Sequence, residues 1–105
     1  MIRRPLPQRR GAETFEMRFW NRPFTVTVGF YPDGRPGEVF IGCKSGNDIE
    51  SIARDAGVLL SLALQHGVPP ETIRHAVTRG VSEEPASILG AVVDSITTKS
   101  FSGGL

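Results

Sequence analysis

Between Gly42 and Asp48 the chain reads Gly-Cys-Lys-Ser-Gly-Asn-Asp, at the point where a strand pattern gives way to a helix pattern. Unpaired amides at a helix start, a lysine and pliant glycines together suit an anion or a phosphate. Gly42, Lys44, Ser45, Gly46 and Asn47 therefore form the first candidate site, for an anion or a nucleotide. The spacing is not that of a P-loop, because Gly37 and Gly42 are followed by Cys43 before Lys44. Asp48 would also repel a phosphate there, and an ordinary cap, with Ser45, Asn47 or Asp48 accepting first-turn amides, is the competing reading. Cys43, the only cysteine, has a helix start and Lys44 beside it, which favours a thiolate. No second cysteine exists to resolve it, so an inert buried thiol is the alternative.

The other chemistry-bearing residues are more scattered. Arg9 and Arg10 near the start, with Arg74 and Arg79, make a candidate basic face that Lys44 would extend toward nucleotide or nucleic acid, against the alternative of a solvated helix surface. No aromatic interleaving or recognisable reading helix accompanies it, so direct nucleic-acid binding is not expected. His66 and His75 stand nine residues apart on separate expected helices, with no Cys, Asp or Glu at metal-ligand spacing, and no metal site is expected. Ser61 has no adjacent base and lies in an apolar helix, where its hydroxyl is expected to bond back to a helix carbonyl. No residue is assigned a catalytic role.

These residues must be positioned by one domain, since 105 residues support a single core. Twelve basic and eleven acidic residues leave a formal charge of +1, without commitment to a polyanion. A lone cysteine fits a reducing cytoplasm. No apolar run approaches the ~20 residues that span a bilayer, and no signal-peptide pattern follows the first arginines.

Phe15, Met17 and Phe19 alternate with polar or outward residues, and Phe24, Val26, Val28 and Phe30 repeat the alternation. This predicts an antiparallel hairpin with its turn at Asn21, Arg22 and Pro23. Tyr31 to Gly37 is dense in turn chemistry and returns the chain into a third strand, Glu38 to Cys43. Ile49, Ile52, Ala53, Ala56, Leu59, Leu60 and Ala63 then recur at helical spacing. The second half of that helix, apolar nearly all round, is expected to be deeply buried before Gly67 and Pro69-Pro70 end it. A short helix from Pro70 to about Arg79 and a third opening at Pro85 follow. The expected fold is a two-layer α+β domain, a three-stranded antiparallel meander followed by three helices packed on one face. The opposite face would carry Trp20, Tyr31 or Phe40. A basic flexible arm is expected over 1–11, with Arg3, Arg4, Arg9 and Arg10 placed to touch phosphate or an acidic protein surface against the alternative of a solvated terminus; the domain is expected over 12–97 and a flexible tail over 98–105.

Several strings resemble one family. Leu6-Pro7-Gln8-Arg9-Arg10 is similar to its basic entry, the run from Val28 to Ile41 to its hairpin, Ser61 to Pro69 to the end of its central helix, and Ser87 to Ile96 to its closing helix. The family is the TSCPD domain, found at the C-terminal end of adenosylcobalamin-dependent (class II) ribonucleotide reductases. Pro-Asp-Gly followed by Pro-Gly-Glu before an apolar strand is the specific part. That radical chemistry requires several thiols in a large barrel, whereas this chain has Cys43 alone and no Thr-Ser-Cys-Pro-Asp string. The resemblance therefore implies a cytoplasmic accessory module, non-catalytic by itself, that binds a protein partner or a nucleotide linked to deoxyribonucleotide synthesis. One alternative is the small subunit of a split adenosylcobalamin-dependent ribonucleoside-diphosphate reductase, with the cofactor bound only by the partner reductase large chain. The other is a homodimeric interaction protein without ligand.

Overall fold

A computed structural model describes residues 2–44 and 48–98. The alternating runs form strands β1 (Ala12–Phe19), β2 (Arg22–Phe30) and β3 (Pro36–Gly42), joined as an antiparallel meander in the order β1-β2-β3. Helices α1 (Asp48–Gln65), α2 (Pro70–Ala76) and α3 (Ile88–Thr98) follow. The α+β class and the meander are those expected from the sequence. Phe24, Val26 and Val28 of β2 and Val39 and Ile41 of β3 point to one face, where Ala53, Leu60 and Leu64 of α1 and Ile88, Val92, Val93 and Ile96 of α3 cover them.

The first turn is tighter than the sequence suggests. Phe19 pairs with Arg22, and only Trp20 and Asn21 lie between, with φ of 53° and 59°. Two consecutive left-handed residues make a type I′ turn, whose twist matches a two-stranded ribbon. Arg22 and Pro23, expected in the turn, belong to β2. Pro23 is tolerated because β3 ends opposite Thr25, so no neighbouring strand asks for the missing N–H. The second turn uses the chemistry expected of it. Gly34, at φ 90°, donates to Tyr31 O at 2.9 Å, and Asp33 accepts the Arg35 N–H at 3.0 Å.

Helix α1 covers the outer edge of β3 as well as the core face. Gly57, Ser61 and Gln65, one per helical turn, run beside Ile41, Val39 and Gly37. Four helical residues advance about 6 Å and two strand residues about 6.6 Å, so the two series stay in step. A Cβ on Gly57 would lie 3.0 Å from Val39 O, which is the close approach that a glycine permits. Ser61 Oγ accepts the Val39 N–H at 2.8 Å and shares its own hydrogen between Gly57 O at 2.8 Å and Val39 O at 3.0 Å. Gln65 Nε2 donates to Gly37 O at 2.9 Å. These bonds occupy edge groups that would otherwise invite another strand.

Three expectations are corrected. The second half of α1 is not buried all round: Val58, Leu59 and Leu62 are 52%, 66% and 37% exposed, as is Ile52 a turn and a half earlier at 62%. A sheet of three strands gives one layer to pack against, and the far side of the helix has no neighbour among the described residues. Tyr31 is only 5% exposed, whereas Trp20 and Phe40 are exposed as expected. Helix α3 opens at Ile88, because Arg79 and Pro85 form a bridge that closes a turn and Ser87 Oγ then caps the helix by accepting the Gly90 N–H at 3.1 Å. No described helix is long and apolar enough to cross a membrane.

Candidate functional site

The strand-to-helix junction places Gly42, Cys43 and Lys44 on a cavity of about 440 Å³ that also involves Glu16, Glu50 and Arg54. Ser45, Gly46 and Asn47 lie outside the described residues. Lys44 is exposed and Cys43 is buried and free. Two cations and two carboxylates line this cavity, and Arg54 approaches Glu50 at 3.9 Å, so its charges largely cancel.

The four arginines of the expected basic face sit in different surroundings. Arg10 pairs with Glu38 at 2.8 Å and donates to Pro7 O and Gln8 O, while Arg9 beside it is exposed. Arg79 grips Asp94 of α3 through two bonds of 2.7 and 2.5 Å, and Arg74 reaches the same carboxylate at 3.4 Å and Glu71 at 2.9 Å. The hydrogen bonds from Arg79, with its charge and that of Arg74, hold the Asp94 carboxyl below its ordinary range, and the same contact raises Arg79. Arg74 and Arg79 thus form one cluster that ties α2 and its following turn to α3, and Arg10 belongs to another. His66 Nδ1 donates to Leu62 O at 2.8 Å, and His75 Nε2 lies 3.2 Å from Glu71. Among the described residues no group of His, Cys, Asp and Glu is arranged to hold a metal.

A second cavity, of about 460 Å³, is one that sequence reasoning missed. It lies between the N-terminal arm, the β2–β3 turn and the α1–α2 junction. Arg4, Arg35, Gln65 and His66 supply its polar groups, and Leu64, Pro36, Val68 and Pro69 are among its apolar walls. No carboxylate of the described residues lines it. Its centre is Tyr31, whose ring lies where a Cβ on residue 37 would stand, so that Gly37 is what admits it. The Arg4 guanidinium lies 4.5 Å from the ring centroid and that of Arg35 5.7 Å. The start of the arm is bonded here: Arg4 N–H donates to Gln65 O at 2.7 Å, Tyr31 OH donates to Arg4 O, and Arg3 Nε donates to Gln65 Oε1 at 2.6 Å. Asp33 stands just outside, with its carboxyl lowered chiefly by the Arg35 N–H bond, then by the bond from the Arg35 side chain and by the charges of Arg35 and Arg4. Arg4, Tyr31 and Arg35 share no spacing rule, so no local pattern in the sequence announces this cavity.

Comparison with known proteins gives the same family as the sequence strings. Over 72 residues, 68% of this chain, it is 43% identical to a vitamin B12-dependent ribonucleotide reductase of Rhodopirellula baltica, of which the match covers 7%. It is 34% identical over 77 residues, 72% of the chain, to the vitamin B12-dependent ribonucleotide reductases of Bradyrhizobium diazoefficiens and Agrobacterium fabrum, covering 6% of each. The chain thus corresponds to a small fraction of the length of these curated relatives, and no solved structure matches it. The family model for the TSCPD domain matches residues 2–97, nearly all of the described fold, and the chain belongs to that family.

Proposed function

We propose that this ribonucleotide-reductase-related module is non-catalytic by itself and acts in the cytoplasm by binding the catalytic chain of a B12-dependent ribonucleotide reductase. The observation that carries this reading is the exposed apolar side of α1, where Ile52, Val58, Leu59 and Leu62 of one helix are all exposed. Contiguous apolar surface of this kind marks protein contacts. Its occupant is inferred from the relatives, in which the matching segment is 6–7% of a much longer chain and so has the rest of the enzyme as its neighbour. Adenosylcobalamin itself does not fit here. Cavities of about 440 and 460 Å³ suit small molecules and not a corrinoid, so the cofactor would belong to the partner.

The test is sedimentation of the purified chain with a B12-dependent reductase from which the matching segment has been deleted. A complex that Leu59→Glu weakens by about tenfold or more is expected, as for loss of a buried interface anchor. Co-sedimentation accompanied by restored nucleotide reduction would favour the split-reductase form of the same reading. Separate migration at high concentration, with both proteins folded, would overturn it.

A further inference from the structure

We propose that the cavity around Tyr31 is a binding site for a small organic anion, a phosphate or carboxylate carried on an apolar, ring-sized body. The first argument is unspent donors. Among the described residues Arg4 makes no side-chain hydrogen bond; its guanidinium rests against the Tyr31 ring and its charge also acts on Asp33. Arg35 commits its Nε to Asp33 at 2.8 Å, and neither terminal nitrogen has an acceptor among the described residues. Two guanidinium groups beside one ring therefore present planar forks suited to a phosphate or carboxylate.

The second argument is preorganisation. Arg4 sits in a terminal arm, where a side chain would ordinarily lose much freedom on binding. Here both backbone polar groups of Arg4 are bonded, its N–H to Gln65 O at 2.7 Å and its carbonyl to the Tyr31 hydroxyl. The acceptor residue is itself fixed, since Gln65 is buried and its side chain is held by Gly37 O and Arg3. Fixing a binding group beforehand is one of the main ways in which a small site gains affinity.

The third argument is the lining. Asp33 is the nearest carboxylate, and its two oxygens are turned to the Arg35 N–H and Nε at 3.0 and 2.8 Å. It orients Arg35 without lining the cavity. Pro36, Val68 and Pro69 offer apolar surface next to the cations, and the volume of about 460 Å³ accommodates a body larger than a bare oxyanion. Inorganic phosphate alone would leave those walls unused.

The experiment is a titration of the full chain followed by NMR and calorimetry at low salt, with phenyl phosphate, benzoate, adenosine monophosphate, inorganic phosphate and uncharged adenosine as probes. Saturable binding of one or more ring-bearing anions is expected, with inorganic phosphate and adenosine at least about tenfold weaker, and which anion binds best identifies the headgroup and body. Arg4→Gln and Arg35→Gln should each weaken that binding by about tenfold, the scale of losing a charge-assisted bond. Both side chains are exposed and the Arg4 backbone bonds remain, so unchanged melting is expected and shows that folding is not the cause. Lys44→Ala should leave binding unaltered. A flat response to every anion by folded protein would overturn the proposal, as would inorganic phosphate binding as well as the ring-bearing probes, or binding that survives the double Arg4→Gln/Arg35→Gln variant. These outcomes are independent of whether a reductase chain is bound, because that contact is assigned to the opposite residues of α1.

Discussion

The junction cavity and the Tyr31 cavity are nearly equal in size, about 440 and 460 Å³, and unlike in charge. The cavity at the strand-to-helix junction brings Lys44 and Arg54 together with Glu16 and Glu50, so that each cation has a carboxylate in the same lining. The cavity at Tyr31 gathers Arg4 and Arg35 with no carboxylate of the described residues in its wall. Sequence proximity favours the first, since Gly42 to Asn47 are consecutive, and tertiary folding builds the second from the arm, a turn and a helix junction. A run of residues with suitable chemistry thus counts for less than the charges that other strands and helices bring beside it.

The largest effect is expected for Gly37→Val. Its side chain would occupy the space of the Tyr31 ring and press on Leu6, whose Cδ1 lies 3.0 Å from an added Cβ. We expect a loss of about 2–3 kcal/mol in urea unfolding, on the scale of overpacking, together with loss of anion binding at the Tyr31 cavity. Gln65→Leu follows. It leaves the Gly37 carbonyl without the bond it receives from Nε2 at 2.9 Å and frees Arg3, so about 1–3 kcal/mol should be lost. Hydrogen exchange at the Arg4 amide should quicken while the junction cavity is unaffected.

A third variant tests the α2–α3 cluster as a reference away from both cavities. The Asp94 carboxyl is held below its ordinary 3.8 by the Arg79 bonds. Its contribution to stability is therefore present above about that pH and is lost as pH falls through the lower folded value. Asp94→Asn should cost about 1–2 kcal/mol at neutral pH and flatten the acid limb of a thermal unfolding series below pH 4, without moving anion affinity. The smallest effect is expected for Lys44→Ala. Its side chain is exposed, so melting should change by less than about 0.5 kcal/mol, and the titration of the Tyr31 cavity should superimpose on that of the unaltered chain.

Much of the frame was legible in the residues. Alternation in β1 and β2, the Pro32-Asp33-Gly34 turn and the helical stripe of α1 each reflect a local period or a local φ preference, which is why order and class could be read. The errors have physical causes too. The first turn was misplaced because Trp20 and Asn21 adopt left-handed conformations that only the two-residue register demands. The start of α3 moved because the bridge between Arg79 and Pro85 holds residues that carry helix-start chemistry.

Local covalent preferences and periodicity, which act over a few residues, are what the sequence by itself determined: three strands, three helices, their order and the family to which they belong. The tertiary structure decided which charges are spent and which are not. Arg79 lies fifteen residues from the Asp94 that neutralises it, and Arg4 lies twenty-seven from the Tyr31 that holds it. Coulomb and hydrogen-bond energies depend on distance in space and not on separation along the chain, so the chemistry of these arginines was settled only when the helices closed over the sheet.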